Sequence, residues 1–196
     1  MTVRPWVLAV TGASGAPYGV RLLELLAKGK VPVQLVVSQH GWRILELEAG
    51  ITSQQELKKA TGGDWSAVTL FDDGDRGAAP ASGSAPSAGM VIAPCSMGTV
   101  SAIAQGSSRS LVERAADVAL KERRRLVLVP REAPLSLIHL RNLTAVTEAG
   151  AVVIPAAPGF YHNPKSIEDL VNFVVQRVLD QMGLNIEIAP RWKGTA

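Results

Sequence analysis

The stretch that decides the fold is VLAVTGASGAPYG, residues 7–19. Four apolar residues run into a turn of small residues, and VRLLELLA then continues with helical periodicity. Strand, tight turn and helix in that order open a βα unit. Glycine in such a turn allows backbone conformations and close approaches that a side chain would block.

Working outward, the same unit recurs. Apolar runs at residues 6–10, 33–37, 90–93, 126–129 and 151–154 are rich in β-branched residues and lack period-two alternation. That is the signature of parallel strands covered by helices on both faces. Helical patterns follow at 18–27, 40–49, 110–124, 136–149 and 166–182, with a short helix at 54–60 and a minor strand at 68–71. The alternation predicts an α/β, Rossmann-like (flavodoxin-like) open doubly wound parallel sheet with right-handed crossovers. The whole chain, 1–196, reads as one domain. Residues 72–89 turn to glycine, alanine, serine and proline, a loop long enough to be functional, and 185–196 read as a C-terminal tail.

Composition narrows the function classes. With 47% hydrophobic and 19% charged residues, the chain has the make-up of a globular enzyme rather than a disordered segment. Its apolar runs are strand-sized, well short of the roughly 18 residues a membrane span needs. The opening MTVRPW lacks the apolar core of a signal peptide, so the expected location is the cytoplasm. A single cysteine, Cys95, rules out an internal disulfide and a multi-cysteine zinc site, and its simplest role is burial rather than nucleophilic attack. His40, His139 and His162 are scattered without ligand spacing, so no metal is expected. A net charge of +3 is small, and its densest basic run, KERRR at 121–125, closes a predicted helix where cations complement the dipole. No nucleic-acid partner is expected.

In open α/β sheets the ligand sits beyond the carboxyl ends of the strands. Those ends read TGASG (11–15), SQH (38–40), PCSMGT (94–99), PRE (130–132) and PAAPGFY (155–161). Small hydroxyl residues and glycines recur where helices begin, and helix N-termini attract anions. Their convergence predicts a site for a phosphate-bearing ligand. Charges also interrupt apolar helix faces. Arg177 falls among Leu170, Phe173, Val174 and Val178, Arg114 among Leu111, Ala115 and Val118 with Lys121 beyond, and Glu48 beside Ile44 and Leu45. A charge on a buried face needs a partner, and Arg114, Lys121, Arg131 and Arg177 together read as one anion site.

A dinucleotide is a poor candidate for that ligand. The loop supplies neither GxGxxG nor TGxxxGxG, because Ala16 and Tyr18 stand where glycines are needed. Ser38 and Gln39, not an acidic residue, follow the second strand. Tyr161 and Lys165 have dehydrogenase spacing, but Pro164 between them breaks the helix that would align them.

The runs TGASGAPYG, APCSMGTVSAIAQG, LVERAADVALKERRRLVLVPREAPLSLIHLRNL and GAVVIPAAPGFYHNPKSIEDLVNFVVQRVLDQMG closely resemble the UbiX-type flavin prenyltransferases, from residue 7 to about 192. The resemblance implies transfer of a dimethylallyl group from dimethylallyl monophosphate to reduced FMN, with new bonds at flavin N5 and C6. It implies no metal, a homododecamer whose sites neighbouring subunits complete, and UbiD-type decarboxylases as recipients of the prenylated FMN. Carried over, Gly12, Ala13, Ser14, Ser38, Ser96, Met97, Gly98, Thr99 and Arg131 hold the flavin. Ser82, Gly83, Arg114, Lys121, Arg131, Tyr161 and Arg177 hold the prenyl phosphate. Glu132 exchanges a proton with that phosphate, while Ser14 and Glu48 handle the proton at N5.

One departure stands out. Family members often carry a tryptophan shortly before the PASGS run, whereas Arg76 stands at about that position here, leaving Trp192 as the aromatic substitute. Two alternatives share the flavin loops. A decarboxylase of the FMN-dependent cysteine-decarboxylase type would carry Pro-x-Met-Asn where this chain has Pro155-Ala156-Ala157-Pro158. A non-catalytic FMN carrier would need no second phosphate site.

Overall fold

A computed structural model describes residues 3–192 and 194. Six parallel strands form its sheet: β1 (Trp6–Val10), β2 (Val33–Val37), β3 (Val68–Asp72), β4 (Gly89–Cys95), β5 (Arg125–Pro130) and β6 (Val152–Val153). Their spatial order is β3-β2-β1-β4-β5-β6, the Rossmann order rather than the flavodoxin one. The chain winds outward from β1 in one direction, then returns and winds outward from β4 in the other. A crevice between β1 and β4 follows from that reversal.

Seven helices cover the sheet: α1 (Ala16–Lys28), α2 (Gln39–Ala49), α3 (Gln54–Ala60), α4 (Met97–Ala104), α5 (Leu111–Lys121), α6 (Leu137–Glu148) and α7 (Ile167–Met182). The strand alternation of β1 decides the two layers. Trp6, Leu8 and Val10 pack with α1, α3 and α7, while Val7 and Ala9 pack with α4 and α5. Serines begin six of these helices, each hydroxyl accepting from an orphan backbone N–H: Ser38, Ser53, Ser96, Ser110, Ser136 and Ser166. No described helix is long and apolar enough to cross a membrane.

Three expectations change. The minor strand at 68–71 is a full edge strand, β3, paired with β2 over five residues. The short helix α4 lacks a strong amphipathic signal and emerges only because Ser96 caps it and Val100 and Ile103 reach the core. The apolar stripe of α7 runs through Val171, Val174, Val175, Val178 and Leu179, which leaves Arg177 outside it and exposed. Leu170 and Phe173 lie at the margin of the stripe, so a face drawn through them is rotated from the true one.

The loop at 72–89 is a strap laid across α5, not a free connection. Asp73 accepts from Leu111 N through its carbonyl (2.7 Å) and from Val112 N through Oδ1 (2.9 Å). Arg124 clamps the far end, donating to Gly83 O at 2.5 Å and Ala85 O at 2.9 Å. Between them the 3₁₀ turn Ala79–Ala81 buries Pro80 and Ala81. At the other end of the chain, the side chain of Gln176 bonds Ile186 O (3.0 Å) and Ile188 N (2.7 Å), fastening the tail to α7.

Candidate active site

The loops above the β1–β4 crevice are tied together before any ligand arrives. Ser96 N donates to Thr11 Oγ1 at 2.9 Å, and that hydroxyl donates to Pro94 O at 3.0 Å. Ser38 N donates to Val10 O at 3.0 Å, which anchors the start of α2 to the end of β1. Gly12 lies so close to His40 that a Cβ would collide with the Cβ of His40, so α2 begins directly against the loop. Gly15 takes φ 126°, a conformation that side-chain-bearing residues rarely adopt.

A cavity of about 290 Å³ opens here, lined by Gly12, Ser38, Ser96, Gly98, Thr99 and Arg109 among others. The N-termini of α2, α4 and α5 all border it, with the Ser38, Ser96 and Ser110 hydroxyls at their caps. Three sets of helix-terminal N–H groups facing one space make an anion-accepting wall. A second space of about 590 Å³ shares Asp73, Arg109 and Ser110 and extends over the ends of β2 and β3 toward Trp42 and Phe71. Together they offer the volume usual for a cofactor site. FMN fits these residues, with the glycine loop for close approach and the helix ends for its phosphate.

Four members of the expected flavin set, Ala13, Ser14, Met97 and Arg131, are not among the residues lining the cavity. Ala13 is buried, and Met97 sits in the core beneath α4, so their side chains support the wall rather than forming it. Arg131 also lies outside the cavity lining; its Nε donates to Ser14 O at 3.3 Å. Glu48 joins the same group. Its Oε2 accepts from Gly15 N and Ala16 N, each at 2.8 Å, and thereby caps α1, whose own N-cap, Gly15, has no side chain to do so. Burial alone would raise the Glu48 pKa. The Ser14 hydroxyl, those two N–H groups and the Arg131 charge outweigh it and hold the carboxyl below its usual range. Ser14, Glu48 and Arg131 thus form one cluster on the glycine loop, two residues from Gly12. Glu132 stands next to Arg131, exposed, and accepts from Ala133 N at 3.1 Å.

The predicted anion site is not a single site within one chain. Arg114 lies on α5, bonded to Asp117 (2.6 Å) and Ala81 O (3.2 Å). Lys121, at the end of the same helix, pairs with Glu122 next to Gly83. Arg177 lies across the sheet on α7, paired with Asp180 at 3.1 Å. The two helices belong to opposite layers, so one subunit cannot bring these cations together. Within one subunit, Ser82, Gly83, Arg114 and Lys121 form one group, and Tyr161 and Arg177 another.

The second group has its own cavity of about 240 Å³, lined by Tyr161, Phe173, Arg177, Asp180, Arg191 and Trp192 among others. Tyr161 meets Trp192 edge-on at 5.5 Å and Phe173 at 5.7 Å. Arg191 holds the tail in place through Asp180 at 2.9 Å. Arg76, by contrast, extends along the strap to Ser108 O at 3.5 Å. Cys95 is fully buried, and burial pushes its thiol pKa well up, which removes it from the chemistry.

An exposed apolar patch follows β5. Leu135, Leu137, Ile138 and Leu140 are all exposed at the start of α6.

The Flavoprotein family matches residues 1–179 of the chain. A flavin prenyltransferase UbiX of Pseudomonas aeruginosa is 48% identical over 192 residues, spanning 94% of this chain and 92% of that one. The chain belongs to the UbiX-type flavin prenyltransferases. AnUbiX (PadA1), solved in complex with FMN and dimethylallyl pyrophosphate, superposes with a TM-score of 0.91 at 40% identity, covering all of both chains. A dodecameric FMN-dependent UbiX-like decarboxylase from Escherichia coli O157:H7 gives 0.89 at 42% identity, covering 97% of this chain and 100% of that one.

For this UbiX-type chain, Arg109 lines the cavity but was missed by sequence reasoning, as were Asp73 and Glu113. Arg109 stands in the run GSSRS, with no periodicity or motif around it. Only the folding of the strap and α5 around the crevice places it on the cavity wall.

Proposed function

We propose that the protein is a flavin prenyltransferase that joins the dimethylallyl group of dimethylallyl monophosphate to N5 and C6 of reduced FMN. The observation that carries this reading is the pairing of the crevice cavity with the Ser14–Glu48–Arg131 cluster on the same glycine loop. Reduced FMN, when bound, supplies the nucleophilic atoms that accept the prenyl group. The chain's own residues bind, orient and hold charge.

Breaking the allylic C–O bond leaves negative charge on the departing phosphate, and positioned cations lower that barrier. Arg114 and Lys121 with Ser82 and Gly83 of one subunit complement Tyr161, Arg177 and Arg131 of another, so the complete site belongs to the oligomer. The apolar start of α6 gives that oligomer a surface to bury. Glu132 exchanges a proton with the phosphate. Glu48, anionic at neutral pH, receives the hydrogen-bonded proton at flavin N5 through or beside Ser14. Trp192 and Tyr161 supply the aromatic wall beside Arg177, in the role that a loop tryptophan would otherwise fill, since Arg76 offers no π face. The prenylated FMN passes to UbiD-type decarboxylases, and the assembly is a dodecamer.

Anaerobic incubation with reduced FMN and dimethylallyl monophosphate yields a flavin heavier by one C5 unit, read by mass spectrometry. Unchanged flavin mass refutes the prenyltransferase reading.

A further inference from the structure

Among the residues lining the crevice cavity, Arg109 is the one arginine, and none is a lysine. Its position is set by three hydrogen bonds to one carboxylate. Glu113 Oε2 accepts from Arg109 N (2.7 Å) and Nε (3.2 Å), and Glu113 Oε1 accepts from Nη2 (2.8 Å). This leaves Nη1 without a hydrogen-bond partner among the described residues. The side chain is nevertheless 73% exposed, standing in the opening shared by the two adjoining spaces. A guanidinium held by a fork on one edge is already ordered on the other, so little side-chain freedom is lost when an anion meets it.

The acidic groups of the wall make the same point. Asp73 and Glu113 both line the cavity, and two uncompensated carboxylates would repel a phosphate. Asp73 Oδ1 is engaged by Val112 N at 2.9 Å, and both Glu113 oxygens are engaged by Arg109. Burial alone would raise the Glu113 pKa, but those bonds hold it below its usual range, so it stays charged and matched. Arg131, the cation assigned by family resemblance to the flavin and the prenyl phosphate, is bonded to Ser14 O outside the cavity lining.

We propose that Arg109 is the counter-charge for the FMN phosphate, selecting FMN over riboflavin, and that Arg131 acts at the flavin ring edge and the prenyl phosphate, not at the FMN phosphate. The inference rests on the flavin reading above. In it, the phosphate lies against the N-termini of α4 and α5, with the free Nη1 completing the donor set.

The test titrates apoprotein with FMN and with riboflavin, following flavin fluorescence. Arg109→Ala lowers FMN affinity about 10- to 100-fold, the usual weight of a charged hydrogen bond, and leaves riboflavin affinity unchanged. Arg109→Lys restores part of the FMN preference, and Arg131→Ala lowers both affinities together. In the double variant Arg109→Ala/Glu113→Gln the preference stays lost. Its return there would show that Arg109 only neutralises Glu113, and would overturn the proposal. Equal losses for both flavins in Arg109→Ala would overturn it as well. Circular dichroism and thermal unfolding report that each variant is folded. Wild-type protein that binds neither flavin would refute the flavin reading itself, and the inference with it, whereas an unchanged FMN preference in Arg109→Ala refutes the inference alone.

Discussion

Glu48→Ala removes a cap that lies 33 residues from the helix it serves. In the native fold its carboxylate satisfies two of the orphan N–H groups at the start of α1, and no local side chain can replace it. Losing a helix cap costs about 1–2 kcal/mol, with solvent screening at this exposed position favouring the lower half. For a domain of this size that lowers Tm by about 2–8 °C. Glu48→Gln keeps one oxygen acceptor, loses the charge and falls roughly halfway.

The pH dependence has a definite sign. The folded-state pKa of Glu48 is lowered relative to its unfolded value of about 4.3. Its stabilisation is therefore complete above that unfolded value and is lost as pH falls through the folded one. Scanning calorimetry of wild type and Glu48→Ala at matched protein concentration should show the full Tm gap at pH 7. The gap should narrow below about pH 4. A gap that stays constant into acid, or no gap at neutral pH, would refute the capping argument. The same low pKa keeps Glu48 a hydrogen-bond acceptor at neutral pH, so a proton it takes from flavin N5 is held only transiently.

Other perturbations separate the remaining roles. Arg177→Ala should weaken use of the prenyl phosphate far more than FMN retention, and equal loss of both would place Arg177 in the wrong site. Mixing inactive Lys121→Ala and Arg177→Ala subunits after dissociation and reassembly should recover a fraction of prenylation, whereas no recovery would argue against sites shared between subunits. Glu132→Gln should slow turnover while keeping bound flavin, and a fully active variant would remove its proton-transfer role. Gly12→Ala should lose flavin retention, because the added methyl displaces His40 and the start of α2; retention equal to wild type would show that the loop yields.

The element pattern was legible because its signals are local. β-Branched runs mark β1, β2, β4 and β5, and serines stand at the start of six helices, each bonding an N–H three residues on. The glycine loop was legible in the same way, since Gly15 takes a backbone angle that few other residues tolerate. Family motifs added Ser14, Glu48 and Arg131, and the fold gathers all three around α1. Stripe reasoning failed for Arg177: a helix face inferred from Leu170 and Phe173 is rotated by the packing that buries Val171 and Val175 instead. Arg109 carried no signal at all.

By itself, then, the sequence determined the doubly wound sheet, the capped helices and a strand-end site for a phosphate-bearing ligand. Tertiary structure alone decided that Glu48 caps α1, that Arg131 reaches Ser14 over 117 residues, and that Arg109 faces the cavity. It also decided that Arg114 and Lys121 lie on the opposite layer from Arg177. The physical reason is range: propensity, capping and periodicity act within about four residues along the chain, whereas a binding site is made by side chains that only the packing of helices on a sheet brings together.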